Sequence, residues 1–124
     1  MISVSVKSYQ DLFAWQKAMD LVEETYKITR DFPVEEKFGL TAQLRRASVS
    51  VPSNIAEEHQ RGSTAEYIRY LQIARGSLAE AETHIVLSER LGFLSAKPAE
   101  HWLTMAAEVG RLANGLVTSL RGRK

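Results

Sequence analysis

Three short interruptions set the architecture of this chain. Asp31-Phe32-Pro33, Arg61-Gly62-Ser63 and Leu91-Gly92-Phe93 divide it into four long segments whose apolar residues recur at three- and four-residue steps. Proline stops a helix by lacking an N–H and crowding the preceding turn. Glycine just past a helix end supplies a left-handed cap. Between such stops, the spacing gathers apolar side chains on one helical face.

The first segment predicts a helix from Asp11, as N-cap, to about Arg30. Its inward stripe reads Leu12, Trp15, Met19, Val22 and Tyr26, with a second row of Ala14, Ala18, Leu21, Thr25 and Ile28 beside it. Pro33 suits the start of the next helix, and Glu35 and Glu36 suit its first turn, where the helix dipole favours negative charge. That helix is predicted to reach about Gln60, burying Leu40, Leu44, Ala47, Val51 and Ile55. Pro52 interrupts it, at a cost of about 3 kcal/mol in an ordinary helix interior. Ser48, Ser50 and Ser53 stand ready to satisfy freed backbone groups. A kink is therefore expected, with two shorter helices as the alternative.

Gly62 closes the second segment, and Ser63-Thr64-Ala65-Glu66 reads as a capping box opening the third. The third stripe is Tyr67, Leu71, Ala74, Leu78, Ala81 and Ile85, ending near Arg90. Ser95-Ala96-Lys97-Pro98 starts the fourth, with Trp102, Met105, Val109, Leu112, Leu116 and Leu120 inward. Connections this short make consecutive helices antiparallel neighbours. Strand-like alternation occurs only briefly, at Ile2–Val6. The predicted fold is all-α, an antiparallel up-down-up-down four-helix bundle with helix two kinked at Pro52. Residues 1–124 form a single domain, with a short arm at 1–8 and a basic tail at 121–124.

The absence of cysteine excludes disulfides, thiolate metal sites and cysteine nucleophiles. The first residues lack the basic start and apolar length of a signal peptide. No apolar run approaches the roughly 18 residues of a membrane span. A cytoplasmic location without membrane contact is expected. The formal net charge is +1, from 16 Lys and Arg against 15 Asp and Glu, which is low for a chain that binds nucleic acid through its overall field. Locally the balance tilts: Arg111, Arg121, Arg123 and Lys124 are met by no acidic residue between 111 and 124. The plain reading of that run is a helix C-terminus favouring cations.

A bundle interior often holds a di-metal site built from Glu-x-x-His pairs. The residues three before His59, His84 and His101 are Ala56, Ala81 and Pro98, so the motif is absent. Glu80 and His84 share a face, but one such pair reads as a surface contact. Ser50, Ser53 and Ser77 have no His and Asp at a nucleophile-motif spacing, and no glycine-rich loop is present to hold phosphate. No enzyme, cofactor, metal or small-molecule substrate is expected.

The most unusual stretch runs from Gln43 to Arg61. Gln43, Arg46, Ser50 and Asn54 fall at steps of three, four and four, making a polar row beside the apolar stripe. One reading is an internal network in which Arg46 pairs with Glu80 or Glu82, since an unpaired buried charge is costly. The other is a seam that contacts a partner subunit or nucleic acid. Gly76, among Ala74, Ser77, Ala79 and Ala81, and Gly110 and Gly115 on helix four, read as sites of close helix approach, within the bundle or between subunits.

Several strings then carry a resemblance: Phe32-Pro33 with Glu36, Gln43-Leu44-Arg45-Arg46-Ala47, Ser50-Val51-Pro52-Ser53-Asn54-Ile55-Ala56-Glu57, Arg61-Gly62-Ser63, and Ile73-Ala74-Arg75-Gly76-Ser77-Leu78-Ala79-Glu80. From Tyr9 to Phe93 the chain resembles the bacterial four helix bundle protein family, whose founding members are encoded in intervening sequences of 23S rRNA genes. Glu58-His59 departs from the glycine the family often has there. Relatives include the accessory variability protein of diversity-generating retroelements. The resemblance implies a homo-oligomeric ring, typically a pentamer, with no catalytic residues. The retroelement relatives are strongly basic, bind nucleic acid and contact a reverse transcriptase, whereas this chain is near neutral.

Two functional readings follow. In the first, the chain is an oligomeric protein associated with RNA or a nucleoprotein, the ring multiplying small basic patches drawn from Arg45, Arg61, Arg69, Arg75, Arg121, Arg123 and Lys124. In the second it is a protein-interaction or structural scaffold without nucleic acid.

Overall fold

The computed structural model describes residues 8–59 and 63–122. A 3-10 turn at Tyr9–Asp11 leads into α1 (Phe13–Thr29), and a second at Val34–Glu36 precedes α2 (Leu40–His59). The chain then forms α3 (Thr64–Arg90) and α4 (Ala96–Arg121). Each helix packs on its neighbours in sequence, and α1 also packs on α4. The four therefore close into an antiparallel bundle with one core running down its middle.

The local chemistry explains the boundaries. The N-cap position of α1 is Leu12, without a side-chain cap, and not Asp11 as the sequence suggested. The acidic pair expected in the first turn of α2 sits in the 3-10 turn before it, and Glu36 Oε1 reaches forward 3.0 Å to accept from the Leu40 N–H. A carboxylate there meets an orphan donor at the positive end of the dipole. Gly39 makes room for it, because a Cβ at that position would lie 2.9 Å from the same oxygen. Ser63 caps α3 as its motif predicted, accepting from Glu66 N–H at 3.3 Å. At the other end of α3, Gly92 adopts φ +82°, Phe93 N–H donates to the Ser88 carbonyl and Gly92 N–H to the Glu89 carbonyl. This is a Schellman ending. Gly62 lies outside the described residues.

Pro52 does not break α2, which runs unbroken through it. Around the proline, Ser48 Oγ donates to the Arg45 carbonyl, Ser53 Oγ to the Val49 carbonyl and Asn54 Nδ2 to the Ser50 carbonyl. The alternative of two short helices is excluded.

The stripes read for α2 and for α3 from Leu71 to Ile85 are buried. In α1 the second row read beside the first is the buried one, and in α4 Trp102, Val109 and Leu120 are buried as read while the rest of the stripe shifts by one position. In α1 the interior takes Ala14, Ala18, Leu21, Thr25 and Thr29, while Met19 and Tyr26 are exposed and Trp15 and Val22 half-buried. In α4 it takes Ala99, Trp102, Ala106, Val109, Ala113, Val117 and Leu120, leaving Met105, Leu112 and Leu116 partly exposed. Helix axes approach to 8–10 Å only where facing side chains permit it, and α1 and α4 meet through small residues placed opposite one large one. That large one is Trp102, fully buried, whose Nε1–H donates to Thr25 Oγ1 at 2.8 Å. Thr25 in turn donates to the Leu21 carbonyl. At one end of the bundle Phe32 and Phe93, from the two loops there, pack with ring centroids 6.0 Å apart.

The glycines do not serve close approach within the bundle. A Cβ on Gly76 or Gly115 would meet nothing within 4 Å, and one on Gly110 would make ordinary contact with Leu78 at 3.5 Å.

Replacing Thr25 by valine keeps the shape and strands the buried indole N–H. Loss of a partner for a buried donor costs about 1–3 kcal/mol. Urea unfolding of Thr25→Val should show a lower midpoint at unchanged slope, corresponding to a loss of stability of that size. An unaltered midpoint would show that this bond does not hold α4 on α1.

Candidate nucleic-acid interface

The outward turn of α1 creates a surface. Trp15, Met19, Val22 and Tyr26 line a shallow apolar strip with Val49, Pro52 and Ala56 of α2, and Tyr9 closes its lower end. Tyr9 and Trp15 meet edge-on, 5.2 Å between centroids. The strip continues past Tyr26 and Val49 into a second groove lined by Lys37, Phe38, Thr41, Ala42, Arg45 and Arg46. Among the described residues no carboxylate lines this second groove. Glu36, nearest in sequence, is engaged at the start of α2.

Within it two of the three cations sit on aromatic faces. The Arg45 guanidinium carbon lies 4.5 Å from the centre of the Tyr26 ring, and Lys37 Nζ lies 5.4 Å from the centre of Phe38. Such contacts are worth about 0.5–1 kcal/mol at exposed sites. Arg45 is further fixed by its Nε–H, which donates to Thr29 Oγ1 at 2.9 Å. Thr29 passes its own proton to the Thr25 carbonyl at 2.7 Å. Phe38 is 87% exposed and Tyr26 43% exposed. Thr41 is only 7% exposed, yet its buried Oγ1 has no hydrogen-bond partner among the described residues. Thr25, Thr29 and Thr83 each return their hydroxyl to the carbonyl four residues back, and Thr41 does not.

Of the basic residues put forward in the sequence as nucleic-acid contacts, the groove contains Arg45 alone, joined there by Arg46 from the polar row. Arg69 is held at 3.0 Å by Glu66 one turn away and stacks 4.8 Å from Tyr70. The Glu66 hydrogen bond and charge raise its pKa above the ordinary arginine value. Arg75 donates to Gln72 at 2.7 Å. Both are on α3, and antiparallel packing puts Arg69 toward the opposite end of the bundle from Arg45. Arg121 is the last residue of α4 rather than part of a tail. Arg61, Arg123 and Lys124 lie outside the described residues.

The polar row divides. Ser50 Oγ shares a 2.9 Å hydrogen bond with Ser77 Oγ across α2 and α3, and Asn54 Nδ2 donates to Ser50 Oγ at 2.9 Å. Gln43 and Arg46 face solvent, as does Glu80. The expected ion pair of Arg46 with Glu80 or Glu82 does not form among the described residues, because Arg46 is outside the core and needs no buried counter-charge. Glu82 is half-buried without a cation, and desolvation raises its pKa above the usual glutamate value. Glu80 and His84 do not pair, and the buried Nδ1 of His84 has no partner among the described residues. No group of three or more His, Asp or Glu side chains gathers among the described residues in a way that could hold a metal ion.

Sequence reasoning missed Lys37, Phe38, Thr29 and Thr41 and assigned Tyr26 to the core. One signal was present. Phe38 lies two residues before Leu40, off the Leu40–Leu44–Ala47 stripe, so a helix presenting that stripe inward leaves Phe38 without a core position.

Glu82 gives a pH test. Its charged form is disfavoured in the folded state, so it lowers stability above the raised folded pKa, and this penalty fades as pH falls through that pKa toward the unfolded value. Glu82→Gln should be more stable than the parent at pH 7, with the gap closing in acid. A gap independent of pH would contradict burial as the cause.

Comparison with known proteins places the fold. The family model described as 23S rRNA-intervening sequence protein matches residues 10–115. No curated protein matches. A crystal structure from Bacteroides thetaiotaomicron, of a protein with unknown function from the S23 ribosomal protein family, is 22% identical with a TM-score of 0.75, over 84% of this chain and 97% of that one. At that identity the likeness concerns the fold. The family match, covering most of the chain and including both walls of the groove, shows that the protein belongs to the 23S rRNA-intervening sequence protein family.

Proposed function

We propose that the protein is a non-enzymatic, homo-oligomeric binding protein that associates with RNA through the groove between α1 and α2. The observation that carries this reading is the lining of that groove: Lys37, Arg45 and Arg46 with Tyr26 and Phe38, and no carboxylate. Cations positioned among aromatic faces suit a polyanion whose bases can stack. The family's description, which names an rRNA intervening sequence, supports the same reading. The net charge of +1 does not oppose it. Phosphates respond to charge within about a Debye length, roughly 10 Å at 0.1 M salt, and a ring repeats the groove once per subunit.

A scaffold without nucleic acid is the second reading, favoured by the apolar strip of Trp15, Met19 and Val22 beside Val49 and Pro52. In both readings the strip supports self-association, since exposed apolar area of this kind marks contact surfaces. The ring, typically a pentamer, is the expectation for such a family member.

One measurement separates these readings, and a second tests the assembly common to both. Titration with a structured RNA should show binding that weakens about tenfold or more between about 50 and 200 mM salt, as released counterions require. Absence of binding at low salt would leave the scaffold reading. Light scattering should give a mass of about five times 13.9 kDa, and a monomer at micromolar concentration would remove the assembly.

A further inference from the structure

The RNA reading leaves open what form of nucleic acid the groove takes, and its geometry is selective. Duplex RNA presents phosphates and 2′-hydroxyls to side chains but keeps its bases stacked within the helix. A single strand offers unstacked bases, which aromatic side chains hold. Phe38 is 87% exposed, far beyond what any core role requires, and stands between Lys37 and the start of α2. Arg45 is held on two sides, by the Tyr26 face at 4.5 Å and by Thr29 Oγ1 at 2.9 Å. Because the second contact uses Nε, the two terminal nitrogens of the guanidinium remain for a ligand, and their forked donors match a phosphate.

We propose that this groove is a single-stranded nucleic-acid site in which Phe38 stacks an unpaired base while Arg45, preset by Thr29 and Tyr26, binds the adjoining phosphate. Thr29 is a positioning residue. It touches no nucleotide and acts by fixing the fork of Arg45. The proposal rests on the RNA reading above and narrows it. Charge complementarity decides the occupant: three cations and no lining carboxylate favour a polyanion with bases over an apolar helix.

The test is fluorescence anisotropy on the full chain with a labelled single-stranded RNA of about twelve nucleotides, the matching duplex, and a poly-glutamate peptide. The single strand should bind at least tenfold tighter than the duplex, and the peptide should not compete. Phe38→Ala should weaken single-strand binding about five- to a hundredfold, the range for a lost stacking platform, without changing the salt slope because no charge is removed. Arg45→Lys, which keeps the charge and loses the fork, should weaken it about tenfold. Thr29→Val, which keeps every charge, should weaken it several-fold at constant salt slope, a response that mere loss of charge does not produce. Phe38 is exposed, so Phe38→Ala leaves the core intact and circular dichroism should show unchanged helicity. Equal affinity for duplex and single strand, or an unchanged Phe38→Ala variant, overturns the single-strand site while leaving RNA binding standing. Failure of both RNAs to bind overturns the RNA reading as well. Displacement by poly-glutamate overturns it in favour of an acidic protein partner.

Discussion

The indole N–H of Trp102 is the constraint from which much of this molecule follows. The largest of the fully buried side chains carries a donor that water cannot reach, and a buried donor without a partner costs about as much as several favourable contacts return. Thr25 Oγ1 meets it at 2.8 Å, and only one rotation of α1 puts Thr25 inside. That rotation buries Ala14, Ala18 and Thr29 with it. It also turns Trp15, Met19, Val22 and Tyr26 outward, creating the apolar strip, and leaves Thr29 at the edge of the core where Arg45 reaches it from α2. The candidate site is thus a consequence of satisfying one hydrogen bond in the core.

The sequence revealed the elements better than their rotations. Interruptions at Phe32-Pro33, Gly62-Ser63 and Gly92-Phe93 located the helices because proline, glycine and capping serine act within one turn. Ser63 and Gly92 behave in the structure as their local chemistry demands. Helices α2 and α3 gave their core stripes directly, because their bulky apolar residues lie in one row. Helix α1 carries two rows at the same spacing, side by side, and the spacing alone does not say that the row of Ala14, Ala18, Leu21 and Thr25 is the one that is buried. What decides between rows is the distance between helices, a property of the pair and not of either segment. Alanines at 14, 18, 99, 106 and 113 fill the interior of α1 and α4, and Trp102 occupies the space they leave. Close packing rewards that complementarity over raw hydrophobic content.

The site was less legible for a related reason. A basic residue shows in a sequence as a charge, whereas its availability depends on neighbours. Arg69 carries the same charge as Arg45, but Glu66 holds it 3.0 Å away on its own helix. Arg46 looked like half of a buried ion pair and is a solvent-facing cation, since the three-four-four row containing it lies at the edge of the α2 stripe. The residues that complete the groove come from three places: the end of α1, the turn before α2 and the first turns of α2. Only folding joins them.

The strip and the groove meet at Tyr26 and Val49, which line both. A second copy seated on the strip would therefore press against the ring on which Arg45 rests. A contact that restrained Tyr26 would also restrain Arg45 through their 4.5 Å stack, so under the proposed function the ordering cost would be met at assembly and not again at nucleotide binding. Linkage then requires the reverse, that a bound strand favours the assembled form by the same factor. Two features that read in the sequence as separate, an apolar row on α1 and a basic pair on α2, are in the folded chain two ends of one surface, joined at Tyr26 and Val49.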